Sequence, residues 1–79
     1  MCKSVTNVVP TDDYKLILSF DENEKRVFDV SEILDFGRFS ELNDLGVFKR
    51  VHVSFDTVEW DNGLDLDPEY LYEKSTPST

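Results

Sequence analysis

Trp60-Asp61-Asn62-Gly63-Leu64-Asp65-Leu66-Asp67-Pro68-Glu69-Tyr70-Leu71-Tyr72 is the stretch on which the reading of this 79-residue chain turns. A strand closes at Trp60, Asn62-Gly63 makes a turn, and Asp67-Pro68 opens a short helix. Aspartate at an N-cap accepts from a free backbone N–H. Proline at the first helical position gives up nothing, because that N–H has no helical partner in any case. Trp60 shares a strand face with Val58, and Leu71 lies where the helix meets the sheet. Trp60, Gly63, Asp67, Pro68 and Leu71 are therefore read as structural residues, with Trp60 a core contact rather than an interface anchor.

Working outward, Thr57 to Trp60 forms a strand, preceded by the connection Ser54-Phe55-Asp56. Val47 to Val53 is predicted as another strand, with Val51 and Val53 on one face and Arg50 and His52 on the other. Tyr14 to Phe20 alternates cleanly, with Tyr14, Leu16, Leu18 and Phe20 pointing one way, the period of a half-buried strand. Lys25 to Val30 pairs with it as a hairpin through Asp21–Glu24. Val5 to Pro10 is an edge strand ended by a residue without an N–H, followed by a Thr11-Asp12-Asp13 turn. Between the sheet segments, Ser31 is predicted to cap a short helix that Gly37 ends. Phe39–Leu42 forms a further turn and Asn43–Gly46 a loop. None of these pieces is long enough to stand alone, so Ile33, Leu34, Phe36, Phe39 and Leu42 are expected to pack on the sheet. Ser75 to Thr79 is small and polar, a frayed tail.

The resulting order is β-β-β-α-β-β-α. It describes an α+β fold with one small, mostly antiparallel sheet and two or three short helices. A single domain spans 1–79, with an ordered core over 5–73 and the tail over 74–79. A chain of this size buries only about 60% of its unfolded surface, so its core is modest. The 13% aromatic content counters the disorder that an acidic composition would otherwise imply.

Seventeen acids face eight bases, for a net charge of −9. From Asp56 to Glu73 there are seven acids and no base. Such a field repels nucleic-acid phosphates and anionic membrane surfaces; it serves solubility first, and a basic partner is the other reading. Cys2 is the lone cysteine, so neither an internal disulfide nor a cysteine-based metal site is expected. Without a secretory or transmembrane pattern, a cytoplasmic protein is expected.

These residues, in this order, resemble a bacterial family of small α+β proteins, domain of unknown function family 2442. Tyr14-Lys15-Leu16 with Phe20 resembles the first hairpin strand, and Phe28-Asp29-Val30-Ser31 the second. Gly37-Arg38-Phe39-Ser40-Glu41-Leu42 is similar to the central segment, and Phe48, Val51 and Val53 to the strand after it. Trp60, Asn62, Gly63, Asp65, Pro68, Leu71 and Tyr72 match the closing motif. The chain departs at two positions: Asp61 stands where a proline is usual, and Asn23-Glu24 where the hairpin usually turns at glycine. The resemblance implies no catalytic residues. It implies a partner-binding, antitoxin-like role, because similar proteins are often encoded beside another small protein, of domain of unknown function family 4160, in a proposed toxin–antitoxin arrangement.

The reading is therefore a non-enzymatic, partner-binding module. Tyr70, Tyr72, Asp61, Asp65 and Glu69 are its candidate partner-binding residues, with no catalytic residue, cofactor or metal ligand assigned. An alternative is a metal-dependent accessory protein or enzyme built on the Asp61–Glu69 cluster, since hard cations take clustered oxygens; its spacing does not match a calcium-loop motif. Another is a homodimer joined at the Val5–Pro10 edge. His52, the lone imidazole, sits on a strand face and is read as structural or exposed. Lys25-Arg26 and Lys49-Arg50 are read as solvated counterparts of nearby acids.

Overall fold

A computed structural model describes residues 3–78, apart from the Glu22 side chain. Cys2 lies outside the described residues. The elements are β1 (Val5–Pro10), β2 (Lys15–Phe20), β3 (Lys25–Asp29), α1 (Leu45–Phe48), β4 (His52–Ser54), β5 (Thr57–Glu59), β6 (Asp65–Leu66), α2 (Pro68–Lys74) and β7 (Thr76–Pro77). They build two antiparallel sheets rather than one: β1-β2-β3-β7 and β4-β5-β6. The second sheet exists because the Asn62-Gly63 turn returns the chain far enough for Asp65 and Leu66 to pair with Glu59 and Val58.

The period-2 pattern of β2 is borne out. Leu16, Leu18 and Phe20 are buried, and Leu16 pairs with Phe28 across the β2–β3 register. Tyr14 lies just before the strand with a left-handed backbone (φ 65°). Its ring still reaches the core at 5.0 Å from Phe48, and its hydroxyl donates to the Asn43 carbonyl. The β2–β3 hairpin turns through a 3-10 turn, Asp21–Asn23. Asn23 takes the left-handed conformation there (φ 62°), which asparagine tolerates better than most residues. That is why the hairpin needs no glycine.

The middle of the chain departs most from expectation. Ser31 does not cap a helix. The Asp29 carboxylate caps instead, accepting from the Ser31 backbone N–H at 3.0 Å and the Ser31 hydroxyl at 2.6 Å. The segment is a 3-10 turn, Val30–Glu32. Gly37, with φ 53°, opens a 3-10 run over Gly37–Asn43 rather than ending a helix. Asn43–Gly46 is not all loop, because the Asp44 carboxylate accepts from the Gly46 N–H at 2.9 Å and starts α1. Val47 and Phe48 are accordingly helical, and the expected Val47–Val53 strand shrinks to β4. Phe48 is fully buried, and its placement overrides the local strand preference of the valines.

Trp60 is in the core, its indole N–H donating to the Phe48 carbonyl at 2.9 Å. Leu71 is buried beside it in the same cluster. Asp67 caps α2, accepting from the Glu69 N–H at 2.8 Å, with Pro68 at the start of the helix. Residues 74–78 are not a frayed tail. Ser75 is buried, β7 pairs with β3 at Arg26 and Val27, and the Ser78 N–H donates to the Lys25 carbonyl at 3.0 Å.

Candidate functional site

Helix α2 carries a tyrosine on each side of buried Leu71, and the two tyrosines meet different surroundings. Tyr72 is locked. Its ring lies 4.2 Å from the Lys3 Nζ and 4.2 Å from the Arg26 Cζ, and its hydroxyl donates to Glu24 at 2.7 Å. Arg26 alternates onto the inner side of β3 with Phe28, and only 12% of its side chain is exposed. Its guanidinium donates to the Ser75 hydroxyl and the Ser75 carbonyl, each at 2.7 Å. The Tyr72 hydroxyl, and then Arg26, hold the Glu24 carboxyl below the usual glutamate range, because hydrogen bonds to the charged form favour it.

Tyr70 faces an open groove of about 680 Å³, lined by Ile33, Phe36, Phe39, Asp65, Leu66, Asp67 and Tyr70. Local structure explains each wall. The turns after β3 place Ile33 at the buried floor, and the left-handed Gly37 leaves Phe36 at the lip, 64% exposed. Strand β6 supplies Asp65 and Leu66 opposite, and the first turn of α2 supplies Tyr70. Tyr70 packs its ring edge-on against Phe28 at 5.9 Å, so the groove wall is fastened to the core.

A second network holds the two walls together. Arg38 donates to the Asn62 carbonyl at 2.8 Å and to Glu41 at 3.2 Å. The Asn62 amide donates to the other Glu41 oxygen at 2.9 Å. Arg38 and Asn62 together keep the Glu41 carboxyl below its ordinary range. The 37–43 run is thereby clamped to the Trp60–Gly63 turn, where Gly63 takes φ 91°.

The five candidate partner-binding residues fall in three places. Asp65 and Tyr70 line the groove. Glu69 and Tyr72 border a smaller hollow with Lys3 and Glu73. Asp61 faces Arg50 at 3.9 Å and His52 at 3.5 Å. Among the described residues no group of three or more His, Cys, Asp or Glu side chains converges to hold a metal ion, so the Asp61–Glu69 acids do not act as one cluster. His52 is exposed, with Glu59 and Asp61 each 3.5 Å away. Of the paired bases, Arg26 is not a solvated counterion but the bolt of the C-terminal segment. Lys49 pairs with Asp12 and Arg50 with Asp61.

The sequence pattern predicts Phe36 packed on the sheet, whereas it stands exposed at the groove lip. The signal that could have found it is the glycine directly after it, which turns the chain outward.

No helix among the described residues is long and apolar enough to cross a membrane. No curated protein and no solved structure matches the chain. A family model described as "Protein of unknown function (DUF2442)" matches residues 5–77. It spans both sheets, the groove and the Arg26 lock, and the chain belongs to that family.

Proposed function

We propose that this chain is a non-enzymatic, cytoplasmic protein-binding module that docks a basic, amphipathic segment of another protein in the Phe36 groove. The observation that carries this is Phe36 itself, an aromatic ring 64% exposed at the lip of an apolar hollow. A folding chain gains by burying such a ring, and exposed aromatic anchors over apolar pockets are where interface energy concentrates. Asp65 and Asp67 on the opposite wall, within a chain of net charge −9, complement a basic partner and speed its encounter. An antitoxin-like role toward a small protein encoded beside the gene is the form of this reading that the family resemblance supports.

The test is calorimetric titration of the chain with that neighbouring protein. Binding is expected to weaken as salt rises, because the attraction is between unlike charges. Phe36→Ala is expected to weaken it about tenfold or more, in the manner of an interface anchor. Equal affinity for the parent and Phe36→Ala, or no binding at all, overturns the reading.

A further inference from the structure

Resting on the groove reading above, we propose that the partner's segment docks in extended form, as an added strand on the outer edge of β6, and that its sequence alternates apolar and basic residues. The sheet β4-β5-β6 ends at β6, and among the described residues no strand pairs with its outer edge. The ladder decides which backbone groups stand there. The Trp60 N–H donates to the Leu64 carbonyl at 2.8 Å, so Trp60 and Leu64 form a hydrogen-bonded pair. In an antiparallel ladder such pairs alternate with pairs whose N–H and C=O groups point away from each other. Glu59 and Asp65 are the next pair, and Val58 and Leu66 the one after. Asp65 therefore turns both of its backbone groups away from β5. Asp67, two residues on and still extended (φ −67°, ψ 132°), turns its N–H the same way, while its carbonyl accepts from the Leu71 N–H.

The groove lies along this edge. Asp65, Leu66 and Asp67 all line it. Consecutive side chains of a strand point to opposite faces, so a hollow that touches all three runs beside the strand rather than over one face of it. A chain laid there meets the Asp65 N–H, the Asp65 carbonyl and the Asp67 N–H. Strand addition at a sheet edge is a recurrent mode of recognition, in which main-chain bonds supply affinity and alternate side chains specificity. Pro68 has no N–H and ends the ladder, so the added strand is short. Its sequence follows from the pleat. Residues opposite Asp65 and Asp67 share the face of those carboxylates and are basic, since opposite charges pair across strands. The residues between and beside them turn to the other face, where Leu66, Phe39 and Tyr70 pack on the core, and are apolar. The same acids guard the edge against a second copy, because a chain of net charge −9 repels its like. A short acidic edge that refuses its own kind is open to a basic strand.

Amide hydrogen exchange of the chain, alone and bound to the neighbouring protein, tests this. The Asp65 and Asp67 N–H groups are expected to gain protection on binding, and the segment protected in the neighbouring protein to alternate apolar and basic residues. Calorimetric titration of two variants gives a second measurement. Asp65→Asn removes the charge alone. Asp65→Pro removes the charge and the outward N–H, a change an edge strand tolerates because that N–H makes no bond to β5. Asp65→Pro is expected to bind about three- to tenfold more weakly than Asp65→Asn, the worth of one net hydrogen bond. Phe36-dependent binding that leaves the Asp65 and Asp67 amides exchanging as in the free chain overturns the added strand and leaves the groove reading standing. So does a protected partner segment of helical period, or equal affinity of the two Asp65 variants. No binding to the neighbouring protein overturns both.

Discussion

The two sides of α2 show how one short helix can serve two purposes. On one side, Tyr72 is sandwiched by Lys3 and Arg26 and tied to Glu24. The Tyr72 hydroxyl, the Arg26 guanidinium and the Ser75 hydroxyl each find a hydrogen-bond partner there, and the result is a bolt for the C-terminal strand. On the other side, Tyr70 packs only its edge on Phe28 and leaves the rest of its wall to a groove with an exposed phenylalanine. The residue type is the same, and the positions are two apart. What differs is the strand opposite. Tyr72 meets β3 where its inward residue is a guanidinium, and Tyr70 meets β3 where it is a second aromatic ring. Saturation by specific partners marks the structural side, and apolar surface left in water marks the side available to a partner.

The largest change should abolish this distinction. Trp60 is buried in the core both sides rest on and bonds to the Phe48 carbonyl. Trp60→Ala should cost about 3–5 kcal/mol, a large part of the roughly 5–15 kcal/mol that holds a domain folded. Chemical denaturation followed by circular dichroism should show both sides lost in one transition. A variant that melts like the parent would place Trp60 outside the core.

A smaller change should separate the sides. Arg26→Ala strips the Ser75 carbonyl and hydroxyl of their charged donor and removes one cation from Tyr72. Hydrogen bonds to charged groups are worth about 1.5–3 kcal/mol, so the loss in unfolding free energy, read from chemical denaturation, should fall in that range. Amide hydrogen exchange should show where it falls. The Ser78 N–H, just past β7 and bonded to the Lys25 carbonyl of β3, should lose its protection, while the Leu71 N–H, bonded to the carbonyl of the α2 cap Asp67, should keep most of its own. Equal loss at both would mean that the lock and the groove wall are one cooperative unit.

Acid should act on the locked side in a predictable direction. The Glu24 carboxyl is held below its ordinary value of 4.5, chiefly by the Tyr72 hydroxyl. A carboxylate whose folded pKa is depressed adds stability that is fully present above the unfolded pKa and lost as pH falls through the folded one. The advantage in melting temperature of the parent over Glu24→Gln should therefore hold at neutral pH and shrink below about pH 4.5. An advantage independent of pH in that window would assign the effect to shape rather than charge.

Much of the first sheet and the closing block is legible in the sequence because both are written in local patterns. Leu16, Leu18 and Phe20 obey a two-residue period that any half-buried strand must show, and Asp67-Pro68 is a cap whose chemistry needs no tertiary help. Residues 30–50 are not legible in this way. Asp29 and Ser31 are both good capping residues, and which one caps depends on where β3 stops, which its partner strand decides. The lock is equally hidden, since Arg26 and Ser75 are 49 residues apart and a polar tail looks frayed until its distant donor is known. Within the site, Asp65 and Tyr70 are legible as a pair because one short segment carries both. Phe36 is not, because the groove forms only when the run after β3 meets β6 across the fold.

The smallest expected effect on stability is the most informative one. Phe36 leaves most of its ring in water, and substitutions at exposed positions usually stay within about 0.5 kcal/mol. Phe36→Ala should therefore leave the denaturation midpoint essentially where it was. Phe39→Ala, on the same groove but half-buried against the core, should be clearly destabilising, because truncating a packed phenylalanine forfeits transfer energy and opens a cavity. Two phenylalanines three positions apart on one wall should thus separate stability from recognition, the first affecting only binding and the second affecting both. A Phe36→Ala protein destabilised as much as Phe39→Ala would mean that the ring is packed in solution. The open side of α2 would then be closed, and its contrast with the locked side would disappear.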